Sequence, residues 1–346
     1  MAATSTDHIG TSKPGVTRRR ALGIFGCAAG MLGAGGSLAA VLSGASPATS
    51  HRWRGVVLGA SASLVLVHED PVEARRIIAA CLAEIARLER IFSLYRNDTA
   101  LVRLNRDGAL DAPPADLLRL LSLARRIHQA SGGAFDPTVQ PLWRLYAEHF
   151  AQANADPAGP SSDAIAAARR HVGFDQVALV PGRITLGRPG MALTLNGVAQ
   201  GYIADRVAAL MRSRGVADTL IDMGELRALG RHGSGRPWRA GIADPRQPGR
   251  TVASFDLNEG ALATSGDYGT RFDRAGRFTH ILDPRSGCPA RHHRSVSVAA
   301  GSAALADALS TGMFAMRVSD GHRMLKKFSH ARALVVRKNG SLVTLS

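Results

Sequence analysis

The sequence predicts an α+β fold, in which strands joined by hairpin-length turns are interrupted by single inserted helices. Two observations indicate this class: β-branched segments follow one another at short spacing, and segments with apolar residues at helical spacing lie singly between them. A regular alternation of strand and helix is absent, and no repeat of fixed period is visible. The chain of 346 residues is 45% hydrophobic and 20% charged, which permits a core and excludes a collagen-like or disordered chain.

The elements are predicted in chain order from composition and periodicity. Residues 56–67 have the composition of one strand, and Pro71 then opens a helix whose apolar residues recur to Phe92. A polar loop follows at 93–105, and the next helix, 114–130, ends at the glycine pair 132–133. Further helices are expected at 162–170, 199–214 and 302–316. Further strands are expected at 176–180, 183–186, 191–195, 219–223, 238–242, 251–257, 278–282, 295–299, 331–336 and 342–345.

The first 47 residues have the layout of a twin-arginine export signal. Residues 17–25 place an arginine pair before a weakly apolar, Ala- and Gly-rich stretch that runs to about residue 42. The alternatives are Sec export and an uncleaved anchor, although so many Gly and Ala residues make a poor anchor. We expect residues 1–47 to be a signal peptide and residues 48–346 to form one exported, periplasmic domain without stable membrane insertion after cleavage.

The formal net charge of +16 raises the question of a polyanionic partner. Without residues 1–49 the chain keeps a net charge of +13, but its arginines are scattered rather than clustered with aromatic residues. This distribution argues against nucleic acid as the partner. The three cysteines include no CxxC pair, which excludes a disulfide framework and cysteine-bound zinc.

Four short stretches combine residues that are unusual for ordinary loops. In residues 131–139, two glycines permit close backbone approach to a ligand, although a plain helix stop is the alternative. Residues 194–205 resemble a strand that runs into a helix start, whose free amides could cradle a phosphate or another anion. Residues 263–268 form a hydroxyl-rich turn, and residues 279–287 place His280 on a presumed strand, where a structural role is the alternative.

The fourth stretch, residues 306–311, places a carboxylate and a hydroxyl inside an apolar helix. Asp307 and Thr311 are four residues apart, so their oxygens project from one helix face. An internal hydrogen bond could satisfy them, and the alternative is Mg²⁺ together with a phosphate-bearing ligand.

These stretches together resemble the ApbE family of FAD:protein FMN transferases over roughly residue 55 to the C-terminus. The matching motifs are the Tyr-Arg to Leu-Asn loop at 95–105, GGAFDPTV at 132–139, the strand–helix motif at 194–202, ATSGDY at 263–268, THILDP at 279–284 and ADALST at 306–311. The twin-arginine leader and the sequences at 195–202 and 221–227 look most like the NosX branch, which is associated with maturation of the nitrous oxide reductase system. The resemblance implies a single ApbE-like, T-fold-related domain with mixed or antiparallel sheets and inserted helices.

The resemblance also implies the chemistry and its residues. FMN is transferred from FAD to a Ser or Thr hydroxyl of an acceptor flavoprotein, with release of AMP, and a NosR-like membrane-bound acceptor is expected. The residues that match the family's Mg²⁺ ligands are Gly197, through its carbonyl, Asp307 and Thr311. His280 matches the family's histidine that takes the proton of the acceptor hydroxyl. The matching FAD contacts are Leu58, Tyr95, Ala134, Phe135, Asp136, Thr194, Gln200 and Ile281.

The chain departs from the family pattern at three places. Most relatives have Asp at Thr194 and Lys or Glu at Gln200, and a glycine usual before Glu225 is missing. These changes leave open two other functions: an FAD pyrophosphatase, in which water replaces the acceptor hydroxyl, and a flavin-binding protein that stores or delivers FAD.

Overall fold

The structure, a computed structural model, describes residues 50–247 and 249–346. The predicted leader and its arginine pair lie outside the described residues. Within the described ranges, no helix is both long and apolar enough to cross a membrane.

The centre of the fold is an eight-stranded sheet in which every neighbouring pair is antiparallel, with the order β1-β2-β6-β7-β10-β13-β14-β15. Strands from both ends of the described chain lie in this sheet. Three smaller sheets, β3-β5-β4, β8-β9 and β11-β12, surround it. The strands are β1 Ser50–Val57, β2 Ala60–Val67, β3 Ala109–Asp111, β4 Val177–Val180, β5 Arg183–Leu186, β6 Thr219–Asp222, β7 Leu226–Leu229, β8 Trp238–Ala243, β9 Thr251–Leu257, β10 Ala261–Gly266, β11 Leu282–Asp283, β12 Cys288–Pro289, β13 His293–Ala300, β14 Arg332–Arg337 and β15 Leu342–Leu345.

Helices cover one face of the large sheet, and the β8-β9 hairpin covers the other. The helices are α1 Pro71–Phe92, α2 Ala100–Asp107, α3 Ala115–Ser131, α4 Gln140–Phe150, α5 Ser162–Arg169, α6 Ala199–Ser213, α7 Ala303–Phe314 and α8 Val318–Leu325. Helices α1, α3, α6 and α7 bury their apolar residues in the main core with the sheet. Trp238 of β8 and Leu257 of β9 pack with Leu220 and Leu262 on the opposite face. The α+β class predicted from the sequence is therefore confirmed.

Local chemistry explains where the principal helices begin. The Asp70 carboxylate accepts hydrogen bonds from the Val72 and Glu73 amides, and Pro71 occupies the first turn of α1. The start of α7 is held from another helix, because the Asp205 carboxylate of α6 accepts hydrogen bonds from the first two amides of α7 at 2.9 Å. This second cap connects α6, which continues the strand–helix motif, with α7, which contains the ADALST motif.

Several sequence-based predictions of local structure are wrong. Residues 56–67 form a hairpin instead of one strand, because the backbone reverses at Leu58 and Gly59, which both have positive φ. The loop predicted at 93–105 contains the start of α2, and helices α4 and α8 were not predicted.

Three further differences concern the motifs. Residues 191–195 form no strand, and the ATSGDY turn lies largely within strand β10. His280 lies outside the named strands, since the predicted strand 278–282 is reduced to an isolated bridge between Thr279 and Arg271 and the start of β11. In these segments backbone pairing depends on distant neighbours, which residue composition does not encode.

Candidate active site

The motifs converge on one cavity of about 280 Å³ beside the N-termini and inner faces of α6 and α7. Ten of the twelve predicted site residues line it: Ala134, Phe135, Asp136, Thr194, Gly197, Gln200, His280, Ile281, Asp307 and Thr311. The structure therefore brings together residues that are up to 177 positions apart in the chain.

Helix α7 places Asp307 and Thr311 on the cavity wall, as their spacing predicts. Asp307 is only 4% exposed, and its Oδ2 accepts a hydrogen bond from the Gly201 backbone amide in the first turn of α6 at 3.3 Å. Burial raises the pKa of Asp307 to about 8, the Gly201 amide opposes that rise, and the nearby Asp205 carboxylate adds to it. The helix start predicted as an anion cradle thus holds a carboxylate of the protein itself.

The Thr311 hydroxyl is surrounded by short backbone and hydroxyl contacts. Its Oγ1 lies 3.2 Å from Ser265 Oγ, which is also 2.9 Å from Ser310 Oγ. A Cβ placed on Gly197 would come within 3.0 Å of Thr311 Oγ1. The backbone at Gly197 can approach Thr311 this closely only because Gly197 has no side chain.

Helices α6 and α7 approach each other closely at Gly201. A Cβ at this position would lie 2.3 Å from the Ala303 carbonyl oxygen, so any larger residue would force the two helices apart. This contact sets the depth of the cavity wall that carries Asp307.

His280 is oriented by the backbone beside it. The ring Nδ1 lies 2.8 Å from the Thr270 carbonyl oxygen, so Nδ1 carries the proton in the neutral ring and Nε2 carries the lone pair. Burial lowers the pKa of His280, and the hydrogen bond to the Thr270 carbonyl partly opposes that shift. Gly269 leaves room for the ring, since a Cβ there would lie 2.8 Å from its Cε1.

Asp136 lines the cavity, and its side chain is hydrogen-bonded to the protein. Its Oδ1 accepts hydrogen bonds from the Thr138 amide at 2.7 Å and from the Thr138 hydroxyl at 2.5 Å. Its Oδ2 accepts a hydrogen bond from the Phe174 amide at 3.1 Å and lies 3.5 Å from His128 Nδ1. Both carboxylate oxygens are therefore committed to the protein, and the Asp136 side chain organises the turn instead of offering a charge to a ligand.

Gln200 and Thr194 also make internal contacts. The side-chain amide of Gln200 donates a hydrogen bond to the Met223 carbonyl at 3.0 Å. Met223 lies in the turn between β6 and β7. The Thr194 hydroxyl accepts a hydrogen bond from the Asn196 amide at 3.3 Å. Thus both positions that depart from the family pattern stabilise backbone segments of the cavity wall.

The two remaining predicted contacts lie elsewhere. Tyr95 lines a neighbouring cavity of about 380 Å³, together with Asn105, Arg106 and Arg144. Leu58 lines neither cavity and sits in the β1-β2 turn, where its amide donates to Glu89 Oε1 at 2.8 Å. A Cβ on the adjacent Gly59 would lie 3.7 Å from Tyr95 Cε2, so the turn that contains Leu58 runs beside the Tyr95 ring.

The cavity also contains residues that the sequence-based site prediction omitted. They are Pro137, Val139, Trp143, Asn196, Glu225, Thr264, Ser265, Gly266, Tyr268, Gly269, Leu282 and Pro284. Ser265 and Tyr268 belong to the ATSGDY stretch, so the motif itself was the available signal. Trp143 lies on α4, and its position could not be expected from a prediction that lacked this helix.

Comparison with known proteins agrees with this fold. A family model described as the ApbE family matches residues 58–335. The FAD:protein FMN transferase of Haemophilus influenzae is 31% identical over 266 residues, covering 73% of this chain and 76% of that protein. The FAD:protein FMN transferase of Klebsiella pneumoniae is 30% identical over 318 residues, covering 89% and 87%.

A solved structure extends the likeness to three dimensions. The crystal structure of the ApbE protein of Thermotoga maritima superposes with a TM-score of 0.76 at 29% identity, covering 86% of this chain and 97% of that one. The class is thus that of α+β proteins with the ApbE fold. The chain belongs to the ApbE family.

Proposed function

We propose that the protein is a Mg²⁺-dependent FAD:protein FMN transferase. The observation that carries this proposal is that Asp307, Thr311 and His280, whose Nδ1 is occupied at the Thr270 carbonyl, line one cavity. Relatives at about 30% identity bear the name of this activity. The reaction class requires a base for a hydroxyl and a site for a pyrophosphate, and both fit these residues.

The donor atoms fit a hard cation such as Mg²⁺. Asp307 contributes a buried carboxylate and Thr311 a hydroxyl, and Gly197 brings its backbone close to that hydroxyl. Within the described ranges, no cluster of three or more His, Cys, Asp or Glu side chains could hold a metal by itself. This suits Mg²⁺, which is bound by one or two carboxylates and takes further ligands from water and substrate phosphates. Such an ion neutralises charge on a pyrophosphate.

His280 can accept the proton of the acceptor hydroxyl. Its Nδ1 is occupied at the Thr270 carbonyl and burial keeps the ring neutral near pH 7, so Nε2 is available as a base. The acceptor oxygen then forms a bond to the FMN phosphorus, while the bond from that phosphorus to the bridging oxygen breaks. AMP leaves with the bridging oxygen, and His280 holds the proton.

One assay tests the activity. Purified protein is incubated with FAD and Mg²⁺, with and without a peptide or protein that carries an acceptor Ser or Thr, and AMP is measured. Release that requires the acceptor, with an FMN-sized mass added to it, is the expected result. AMP release without acceptor would identify a pyrophosphatase, and intact FAD would identify a binding protein. Either result would overturn the proposal.

For the cellular setting, we propose periplasmic action on a membrane-bound, NosR-like flavoprotein in the maturation of the nitrous oxide reductase system. The support is the twin-arginine layout of residues 17–25 together with the NosX-like sequences at 195–202 and 221–227. Mass spectrometry of membrane flavoproteins from cells with and without this gene tests it. An FMN-sized adduct that disappears from the acceptor in cells lacking the gene is expected.

A further inference from the structure

Glu225 is a buried acid with an oxygen atom that the described residues leave unpaired. It follows the turn between β6 and β7 and is only 8% exposed. The Thr264 amide donates a hydrogen bond to its carboxylate, but Oε2 is buried and has no partner within the described part of the chain. A buried acceptor without a hydrogen-bond partner destabilises the folded protein, and more so when the acceptor is charged. This oxygen therefore needs a ligand that the protein does not itself supply.

Other buried acids of the fold do have such partners. Both oxygens of Asp136 accept hydrogen bonds from Thr138 or Phe174. Asp205 accepts two amides of α7 and lies 3.2 Å from Arg227 Nε. Glu225 lines the cavity that holds the motif residues, and it differs from these two acids because its Oε2 has no hydrogen-bond partner within the described part of the chain.

The charges around Glu225 are acidic. After burial, the carboxylates of Asp307 and Asp222 are the main groups that raise the pKa of Glu225. Arg227, two residues along β7, pairs with Asp205. Two neighbouring carboxylates at a buried wall repel each other, and a divalent cation between them removes that repulsion.

The turn that presents Glu225 is rigid. Gly224 has φ +94°, and its amide donates to Asp222 Oδ1 at 3.0 Å. The Gln200 side chain holds the Met223 carbonyl of the same turn. A Cβ on Gly224 would lie 2.8 Å from Gln200 Nε2, so the packing of Gln200 on this turn depends on glycine. The turn is therefore organised before any ligand binds.

We propose that Glu225 supplies a second carboxylate ligand to the divalent cation that Asp307 and Thr311 hold. The inference rests on the metal site of the proposed function and adds a residue to it. Mg²⁺ is usually bound by one or two protein carboxylates, and Asp307 and Glu225 would supply two. Water and phosphate oxygens complete its coordination shell.

Mn²⁺ binding to the full-length protein without FAD tests this ligand directly. Free Mn²⁺ is followed by electron paramagnetic resonance during titration of wild type, Glu225→Gln, Glu225→Asp and Asp307→Asn, with exposed Glu148→Gln as the matched control. We expect Glu225→Gln to weaken Mn²⁺ binding by roughly 10- to 100-fold. Glu225→Asp should recover part of the affinity, and Glu148→Gln should bind as wild type. Unfolding in EDTA verifies that each variant is folded.

The outcomes separate this inference from the proposed function. If Asp307→Asn loses Mn²⁺ and Glu225→Gln keeps it, Glu225 is not a ligand, while the metal site of the proposed function stands. If Glu225→Gln loses Mn²⁺ and Asp307→Asn keeps it, the two acids do not share an ion and the inference is also overturned. If both variants keep wild-type affinity, the inference and the Mg²⁺ part of the proposed function fail together, whereas the FMN-transfer assay still judges the activity.

Discussion

Ser265 Oγ of strand β10 lies 3.2 Å from Thr311 Oγ1 of helix α7, and this contact joins the ATSGDY and ADALST motifs at the cavity wall. The same Ser265 oxygen lies 2.9 Å from Ser310 Oγ. The Thr311 hydroxyl is thus held from the sheet by Ser265, which also contacts the preceding residue of the same helix. The two hydroxyl pairs join residues that are 45 and 46 positions apart, so the two motifs act as one structural unit.

Ser265→Ala should weaken metal binding by increasing the freedom of the Thr311 side chain. We expect Mn²⁺ affinity to fall by about 3- to 10-fold and the free energy of unfolding by about 1 kcal/mol. Titration with Mn²⁺ and urea unfolding measure the two effects. Ser297→Ala is the control, because it removes a comparable hydroxyl contact between β10 and β13, at 2.8 Å from Thr264, without touching Thr311. Equal loss of Mn²⁺ affinity in both variants would contradict the explanation.

Gly269→Ala should displace His280 while FAD still binds. The new Cβ would lie 2.8 Å from the ring Cε1, and a shift of the ring moves Nε2 away from the acceptor hydroxyl. We expect FMN transfer to slow by about 10- to 100-fold with little change in the Kd for FAD, measured by flavin fluorescence. Gly301→Ala, where a Cβ meets nothing within 4 Å, should behave as wild type. Unchanged transfer in Gly269→Ala would show that the ring position is not critical.

Asp136→Asn should destabilise the protein more than it impairs FAD binding. The amide that replaces one carboxylate oxygen cannot accept the hydrogen bonds from Thr138 or Phe174. We expect a loss of about 2–3 kcal/mol in the free energy of unfolding. Exposed Asp175→Asn, on the other side of His128, should cost less than about 0.5 kcal/mol. A large loss of FAD affinity in a stable Asp136→Asn protein would restore a ligand role for this side chain.

The transfer rate should fall on the acid side as His280 becomes protonated. Burial lowers the pKa of His280 below the ordinary histidine value of 6.5. The rate is therefore retained at pH values above this lowered pKa, and it falls only when the pH decreases below 6.5 and the ring becomes protonated. The profile of kcat/KM at saturating Mg²⁺ at each pH measures it. His280→Ala should abolish this acid limb along with most of the rate. An acid limb centred above pH 6.5 would contradict the assignment.

Without metal, Asp307 should make the fold less stable as pH increases. The pKa of Asp307 is about 8 in the folded state and 3.8 in the unfolded chain. Between these pH values the carboxyl is ionised in the unfolded state but still protonated in the folded state, so increasing pH favours unfolding. Asp307→Asn should therefore exceed wild type in stability by a margin that grows from pH 5 to pH 8 in EDTA, by up to about 1.4 kcal/mol for each pH unit. Urea unfolding measures the margin, and Asp163→Asn on the exposed start of α5 serves as control. A margin that shrinks with pH would refute the burial argument.

Side-chain roles show where sequence reasoning stops. The GGAFDPTV motif correctly indicated a glycine turn, which lies at the cavity, but it could not show that the Asp136 oxygens accept from Thr138 and Phe174. Glu225 was noticed as a departure from a family pattern, whereas its unpaired oxygen became visible only in the cavity. The direction of a side chain depends on packing between distant elements, which no motif specifies.

The amino-acid sequence by itself determined the α+β class, the main helices α1, α3, α6 and α7, and the motifs whose residues line the cavity. These features depend on local periodicity, on capping and turn residues and on the i, i+4 geometry that places Asp307 and Thr311 on one helix face. The tertiary structure alone decided the strand character of β10, the irregular segment at His280 and the contact between Ser265 and Thr311. It also decided that Asp307 and Glu225 line one cavity, because burial and proximity arise only when the β6-β7 turn and α7 come together in the folded protein.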